Sequence, residues 1–264
     1  MPSKLLLLTL LTAVSVFNFF SQNAFADQPS MTSCSLSSQA IEKAVLNLLD
    51  KNPKIVLTAL KKAVEQEEKE KLLTQERLIQ SHKADLLKAH AFLPTSGNSN
   101  GDIKIVAFFD YQCGYCKKSE QTLADALKKD PNIQIIYKEM PIFGKDSEIL
   151  AQMALSSHLQ GKYACLHHSF MTHKGPLTES VGLDLAKKCD VDPVKLQKDM
   201  NSESIKKVVS QNKQLAETLQ IEAAPFFIVG EKIVPGYLSP ETLQKTISEQ
   251  RRPSKLALSS ESAT

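Results

Sequence analysis

From residue 36 to residue 91 apolar positions recur at the three- and four-residue spacing of a helix, and the one clear interruption is Asn52-Pro53. The pattern predicts two helices. In the first, Ala40, Ile41, Ala44, Val45, Leu48 and Leu49 form a stripe along one face. In the second, Val56, Leu60, Val64, Leu72, Leu73, Leu78, Ile79, Leu86 and Leu87 form an interrupted stripe, crossed by a polar band over residues 65–71. Two extended helices with few neighbours cannot bury such a stripe within their own chain. The expectation is therefore a helical oligomerisation arm over residues 27–93, with packing back on its own domain as the alternative.

Residues 94–101, Pro-Thr-Ser-Gly-Asn-Ser-Asn-Gly, hold almost nothing that could enter a core and read as a linker. The next segment, IKIVAFF at residues 103–109, is a nearly continuous apolar strand of the kind buried inside a parallel or mixed sheet. A helix follows through Lys117, Lys118, Leu123, Ala124 and Leu127, then a short strand at residues 132–137. Helical text occupies about residues 145–220, broken at Lys174-Gly175-Pro176 and at Asp192-Pro193. Within it Ala164, Leu166, Phe170, Leu183, Leu185, Leu196 and Met200 are expected to be core. Residues 223–236 read as strand, turn and strand, and residues 252–264 as a disordered polar tail.

At the other end, Lys4 precedes an apolar run over residues 5–20, and Ala24-Phe25-Ala26 offers the small-x-small pattern that signal peptidase accepts. This predicts a cleaved signal peptide over residues 1–26 and an exported protein, most readily in a bacterial periplasm, where disulfides persist. A hydrophobic content of 42% supports a real core, and 32 basic against 29 acidic residues, a net charge of +3, give no steering toward nucleic acid. Five cysteines, an odd number, cannot all pair within one chain.

Cys113-Gly114-Tyr115-Cys116 follows the apolar strand and opens a helix. Exposed backbone N–H groups at a helix start favour a thiolate on the first cysteine. Cys113 is thus the expected nucleophile and Cys116, one turn deeper, the resolving thiol. Lys117 and Lys118 either add a positive field there or are simply solvated. A lone pair of this spacing also suits half a zinc site, for which Cys165, His167, His168, His173 and Cys189 are chemically able ligands. Strand, cysteine pair and helix in an exported chain favour redox work, with no metal and no cofactor expected. Near the other end, Ala224-Pro225-Phe226-Phe227 puts a proline where a strand should begin. A cis Ala224-Pro225 bond would turn the Ala224 backbone toward an extended substrate beside Cys113.

The run Phe108-Phe109-Asp110-Tyr111-Gln112-Cys113-Gly114-Tyr115-Cys116, with Ala224-Pro225-Phe226-Phe227 and Gly230, resembles the DsbA-like thiol-disulfide oxidoreductases. The resemblance implies an α/β thioredoxin fold with an inserted helical subdomain over residues 102–251, a nucleophilic Cys113, a resolving Cys116 and a cis Pro225. The arm around residues 46–57 resembles that of the oligomeric ScsC-type subgroup, which implies a homo-oligomer, a dimer before a trimer, and isomerase behaviour. The partners implied are reduced or misfolded secreted proteins, a DsbB-like membrane oxidase and a DsbD-like reductase. Three departures stand out. Ala107 occupies the position of a buried glutamate common in the family, leaving Asp110, Glu139 or water to handle the proton of Cys116. Ala224 replaces the threonine or valine common before the cis proline, and Gly114-Tyr115 resembles the isomerase DsbC more than the strongly oxidising DsbA.

Cys165 and Cys189 lie on either side of the Gly175-Pro176 break, where two helices folded back could join them as a structural disulfide; two buried thiols are the alternative. Cys34 is then left over on the arm, either linking subunits or free. Against the enzyme stands a second reading, a copper- or zinc-capturing thiol protein scaffolded by its arm.

Overall fold

The computed structural model describes residues 37–88 and 92–252. Within them the chain divides into two units, the boundary falling after Ala59. The expected signal segment at 1–26, Cys34 and the tail after residue 252 lie outside the described residues.

The first unit holds helix α1 (Ser38–Lys51) and the start of α2 (Lys54–Ser81). Ser37 caps α1, its hydroxyl accepting from the Ala40 amide at 3.2 Å, and Asn52 closes it by donating to the Leu48 carbonyl. No residue of α1 is buried, and Ile41, Val45, Leu46 and Leu48 are exposed. The stripe read from the sequence has no cover from its own helix pair.

The second unit is built on a five-stranded sheet in the order β1-β3-β2-β4-β5. Its strands are β1 (Thr95–Gly97), β2 (Ile103–Phe109), β3 (Ile133–Glu139), β4 (Phe226–Val229) and β5 (Lys232–Pro235). Only β2 and β3 are parallel, and the remaining pairs are antiparallel. The apolar run of β2 serves both faces at once. Ile103, Ile105, Ala107 and Phe109 enter one core while Val106 and Phe108 enter the other, as the two-residue period of a strand requires.

On the first face lie α4 (Gly114–Lys129), α5 (Lys145–His158), α6 (Tyr163–Thr172), α7 (Glu179–Lys188), α8 (Pro193–Met200) and α10 (Pro240–Arg251). The second face is closed by the end of α2, by α3 (Lys83–Leu87) and by α9 (Glu203–Thr218). Helices α5 to α9 lie in sequence between β3 and β4, and α5 is the most buried of them. Asp192, followed by Pro193, caps α8, its carboxylate accepting from the Val194 and Lys195 amides. Leu166, Phe170, Leu196 and Met200 are buried and Leu183 and Leu185 pack against them, whereas Ala164 is exposed on the outer side of α6.

Two boundaries differ from expectation. Residues 94–101 are more than a linker, because Thr95–Gly97 pairs with β3 and the Tyr137 amide donates to the Pro94 carbonyl. A strand of Thr, Ser and Gly carries no apolar signal. Gly97 is needed there, since it has φ +82° and a Cβ would collide with the Ile133 carbonyl. The helical arm also joins the domain earlier than residue 93. Ile79 and Leu86 are buried against Val106, Phe108, Ile136 and Phe226, and the Gln75 amide nitrogen donates to the Gln220 carbonyl at 2.6 Å just past the end of α9. Packing back on its own domain is thus the outcome from Gln75 onward.

Candidate functional site

Cys113 is the N-cap of α4, which fixes its chemistry. Its sulfur accepts the Cys116 amide proton at 3.1 Å and its S–H donates to the Ala224 carbonyl at 3.4 Å. The Cys113 thiol is lowered to about 7, chiefly by a hydrogen bond from the Cys116 thiol and further by the Cys116 and Tyr115 amides, against an opposing effect of burial. Cys116 is pushed far up, first by burial and then by its hydrogen bond to Cys113. One thiol ionises near neutrality while its neighbour keeps its proton. That asymmetry suits one sulfur to attack and the other to wait.

The Ala224-Pro225 bond is cis. The Pro225 carbonyl accepts from the Gly236 amide at 2.9 Å, and the Leu238 amide donates to the buried Ser119 hydroxyl at 3.0 Å. The proline loop is thereby buckled to the helix that carries the cysteines. Gly114 and Tyr115 occupy the first turn of α4, both exposed; a Cβ at Gly114 would meet nothing within 4 Å, so space does not demand glycine there. The neighbouring lysines point elsewhere. Lys117 Nζ donates to the His173 carbonyl at 3.1 Å, and Lys118 Nζ lies 5.2 Å from the centre of the Tyr115 ring. The lowering at the Cys113 sulfur comes first from the Cys116 thiol and then from the amides of the helix start.

Of the two carboxylates considered for the proton of Cys116, Asp110 is fully engaged. It accepts from the Gln112 and Ile142 amides at 2.7 Å each, from the Phe143 amide at 3.1 Å and from the Ser147 hydroxyl at 2.8 Å. Four donors fill the lone pairs of a carboxylate, so Asp110 ties the cysteine loop to the start of α5 and has no vacancy for a proton. Glu139 is different. It is fully buried at the end of β3, its Oε1 accepts from the Tyr111 and Tyr163 hydroxyls at 3.0 and 2.9 Å, and burial pushes it up to about 8.

Beyond Tyr115, sequence reasoning missed three exposed apolar side chains, Ile142, Phe143 and Tyr237. Tyr115, Ile142, Phe143 and Tyr237 are exposed on the cysteine helix, the loop held by Asp110 and the segment after Gly236. Ile142-Phe143 directly after Met140-Pro141 was the available signal. Cys165 and Cys189 form a disulfide with S–S 2.05 Å between α6 and the end of α7. They are therefore not free to bind zinc; His167 turns inward to the tyrosines, and the described residues contain no group of three or more potential metal ligands.

A family model described as a DSBA-like thioredoxin domain matches residues 104–248. Probable disulfide bond formation protein D of Bacillus cereus is 24% identical over 184 residues, 64% of this chain and 83% of that protein. Among solved structures, a thioredoxin-like oxidoreductase from Silicibacter pomeroyi is 32% identical with a TM-score of 0.62, covering 65% of this chain and 98% of that one. A linker-deletion mutant of Proteus mirabilis ScsC is 23% identical with a TM-score of 0.64, covering 83% of this chain and 98% of its own, a likeness of fold.

Proposed function

Since the chain belongs to the DSBA-like thioredoxin domain family, we propose that it is an exported thiol-disulfide oxidoreductase working through Cys113 and Cys116 on cysteines of secreted proteins. The observation that carries this reading is the opposed displacement of two adjacent thiols, Cys113 down to about 7 and Cys116 upward, beside the Ala224 carbonyl. In the oxidising direction a client thiolate attacks Cys113 of the Cys113–Cys116 disulfide, and Cys116 leaves and takes a proton. A second client thiolate then attacks the client sulfur of the mixed disulfide and releases Cys113 as thiolate. The client loses two electrons and two protons, the protein gains both electrons, and one proton goes to solvent. An extended client segment pairs with the backbone at Ala224 and rests on Tyr115, Phe143 and Tyr237.

Isomerisation starts instead from reduced Cys113, which attacks a mispaired client disulfide. Oligomerisation through the exposed stripe of α1 and α2 supports that activity, because two or more sites facing one client raise the effective concentration of thiol. A DsbB-like oxidase would maintain the oxidised form and a DsbD-like reductase the reduced one, in the periplasm to which residues 1–26 direct the chain. No helix among the described residues is long and apolar enough to cross a membrane. Refolding of a multi-disulfide substrate tests the reading. The wild type should accelerate it and Cys113→Ala should not; equal activity of the two would sink the assignment. A variant beginning at Leu60 separates the arm's contribution, since loss of isomerisation with retained oxidation is the expected result.

A further inference from the structure

Among the described residues, only two buried side-chain polar atoms lack a hydrogen-bond partner, Glu139 Oε2 and His167 Nε2. Buried polar atoms are nearly always paired, and these two belong to one cluster. The Tyr111 hydroxyl bridges Glu139 Oε1 at 3.0 Å and His167 Nδ1 at 2.9 Å; that of Tyr163 bridges the same two atoms at 2.9 and 3.3 Å. At the far side His167 Nε2 lies 3.3 Å from Glu120 Oε2, close enough for an ion contact but outside hydrogen-bond geometry. The Glu120 side chain is 13% exposed and that of His167 4%, so solvent meets the cluster at Glu120.

Counting protons shows what this arrangement can do. Each tyrosine has one to give. With both donated to Glu139, His167 Nδ1 must carry a hydrogen and donate it to a tyrosine oxygen. With Glu139 protonated on Oε1, Tyr111 can turn its hydrogen toward Nδ1. The two states differ by a proton passed along Nδ1, Tyr111 and Oε1 without displacement of any heavy atom. At Glu120 the facing Oε2 and Nε2 are two acceptors unless a proton lies between them.

The location matters as much as the chain of contacts. Tyr111 precedes Cys113 by two residues and Glu120 follows Cys116 by about one helical turn, so both segments that carry sulfur take part. In the β2–β3 register Ala107 pairs with Tyr137 and Phe109 with Glu139. Glu139 therefore projects from the neighbouring strand on the sheet face toward which the small side chain of Ala107 points.

We propose that Glu139, Tyr111, His167 and Glu120 form a proton relay between solvent and the core beneath the two thiols, serving Cys116 in place of a carboxylate at position 107. This rests on the thiol-exchange reading above, and within it the relay side chains are positioning residues. When a client thiolate attacks Cys113, the new S–S bond forms as the Cys113–Cys116 bond breaks, and the electron pair leaves on Cys116. That sulfur takes one proton, which solvent replaces at Glu120. In the reverse direction Cys116 gives up its proton as it attacks the mixed disulfide. Burial holds Glu139 at about 8, within reach of neutral pH, against the hydrogen bonds of Tyr111 and Tyr163 and with the charge of Asp110 adding to the rise. Tyr137, also buried on this face, feels the charges of both Glu120 and Glu139.

The test uses the full chain, a mixed disulfide between Cys113 and glutathione, and stopped-flow measurement of glutathione release by Cys116 from about pH 5.5 to 9. In Glu139→Gln and in Tyr111→Phe, release should slow on the order of 10²-fold near neutral pH and lose its inflection near pH 8. Alkylation of Cys113 should stay within about twofold, and Glu139→Asp should recover part of the rate. Release with wild-type rate and pH profile in either folded variant overturns the relay. So does a slowed release that keeps the inflection, which marks a structural effect. A wild-type protein that forms no mixed disulfide would instead remove the thiol-exchange reading on which the relay rests.

Discussion

Cys113 and Cys116 face each other across the first turn of α4, whereas Cys165 and Cys189 are 24 residues apart and join α6 to the end of α7 as a disulfide. Little separates Cys113, Cys116 and Cys189 in exposure, at 5, 2 and 3%. The difference lies in what the backbone aims at the sulfur. Cys113 receives amides from the open end of a helix. Cys189 sits at the closed end, where its own amide donates back to the Leu185 and Ala186 carbonyls and a Ser169 hydroxyl lies 3.5 Å from its sulfur. A helix start favours a thiolate and a helix end does not. The same amino acid is thus placed to ionise in one location and held in a disulfide in the other.

This contrast can be broken experimentally. Cys113→Ala should lower exchange with an insulin substrate by at least ~10³-fold, since the remaining thiol is buried and holds its proton; a smaller loss would make Cys116 competent by itself. Replacing both Cys165 and Cys189 by Ala should cost about 3 kcal/mol of stability, read by denaturant unfolding, through the closed loop it releases. Exchange should continue at a rate within a few fold of wild type. If exchange collapsed while the fold held, the second pair would have a part in the chemistry.

A finer test uses pH. Alkylation of reduced Cys113 should reach half its plateau near pH 7 and fall about tenfold for each further unit of acidification, because only the thiolate reacts. A midpoint near 9 would show that neither the Cys116 thiol nor the helix start acts on this sulfur. The linked effect on stability has a definite sign. The folded thiol of Cys113 is lowered, so its contribution to the reduced protein is present above the unfolded value and lost as pH falls through about 7. The smallest effect is expected away from both pairs. Leu48→Glu on the exposed stripe of α1 should change stability by no more than about 0.5 kcal/mol, and under the proposed oligomerisation it should lower the mass read by light scattering.

The legible parts of the sequence were those with a strong local signal. The strand Ile103–Phe109 coincides with its apolar run, the cysteine pair opens α4, and the proline that looked misplaced in a strand is the cis Pro225. β1 was illegible because Thr95, Ser96 and Gly97 join the sheet through backbone alone. β3 was expected to stop at Tyr137 because Lys138 and Glu139 are charged, yet both are buried, on opposite faces of the sheet. That truncation also hid the polar cluster. Its members come from the loop after β2, from α4, from β3 and from α6, and only the fold brings them together. A tyrosine and a glutamate embedded in otherwise apolar text were the available hint. The arm's boundary was misplaced for a related reason, since a stripe on a helix does not say which surface covers it.

Under the proposed thiol exchange, the hydrogen bond from the Leu238 amide to the Ser119 hydroxyl bears on the choice of client. It fastens to the cysteine helix the segment after β5, whose Gly236 amide donates to the Pro225 carbonyl, and Cys113 reaches across to the Ala224 carbonyl. A site braced in this way has little slack to lend, so the adjustment needed for an in-line approach of three sulfurs must come from the visitor. A chain still without structure can bend to meet it, whereas a finished protein would first have to be pried open. Rigidity on one side of the encounter would thus sort the unfinished from the finished without reading any sequence.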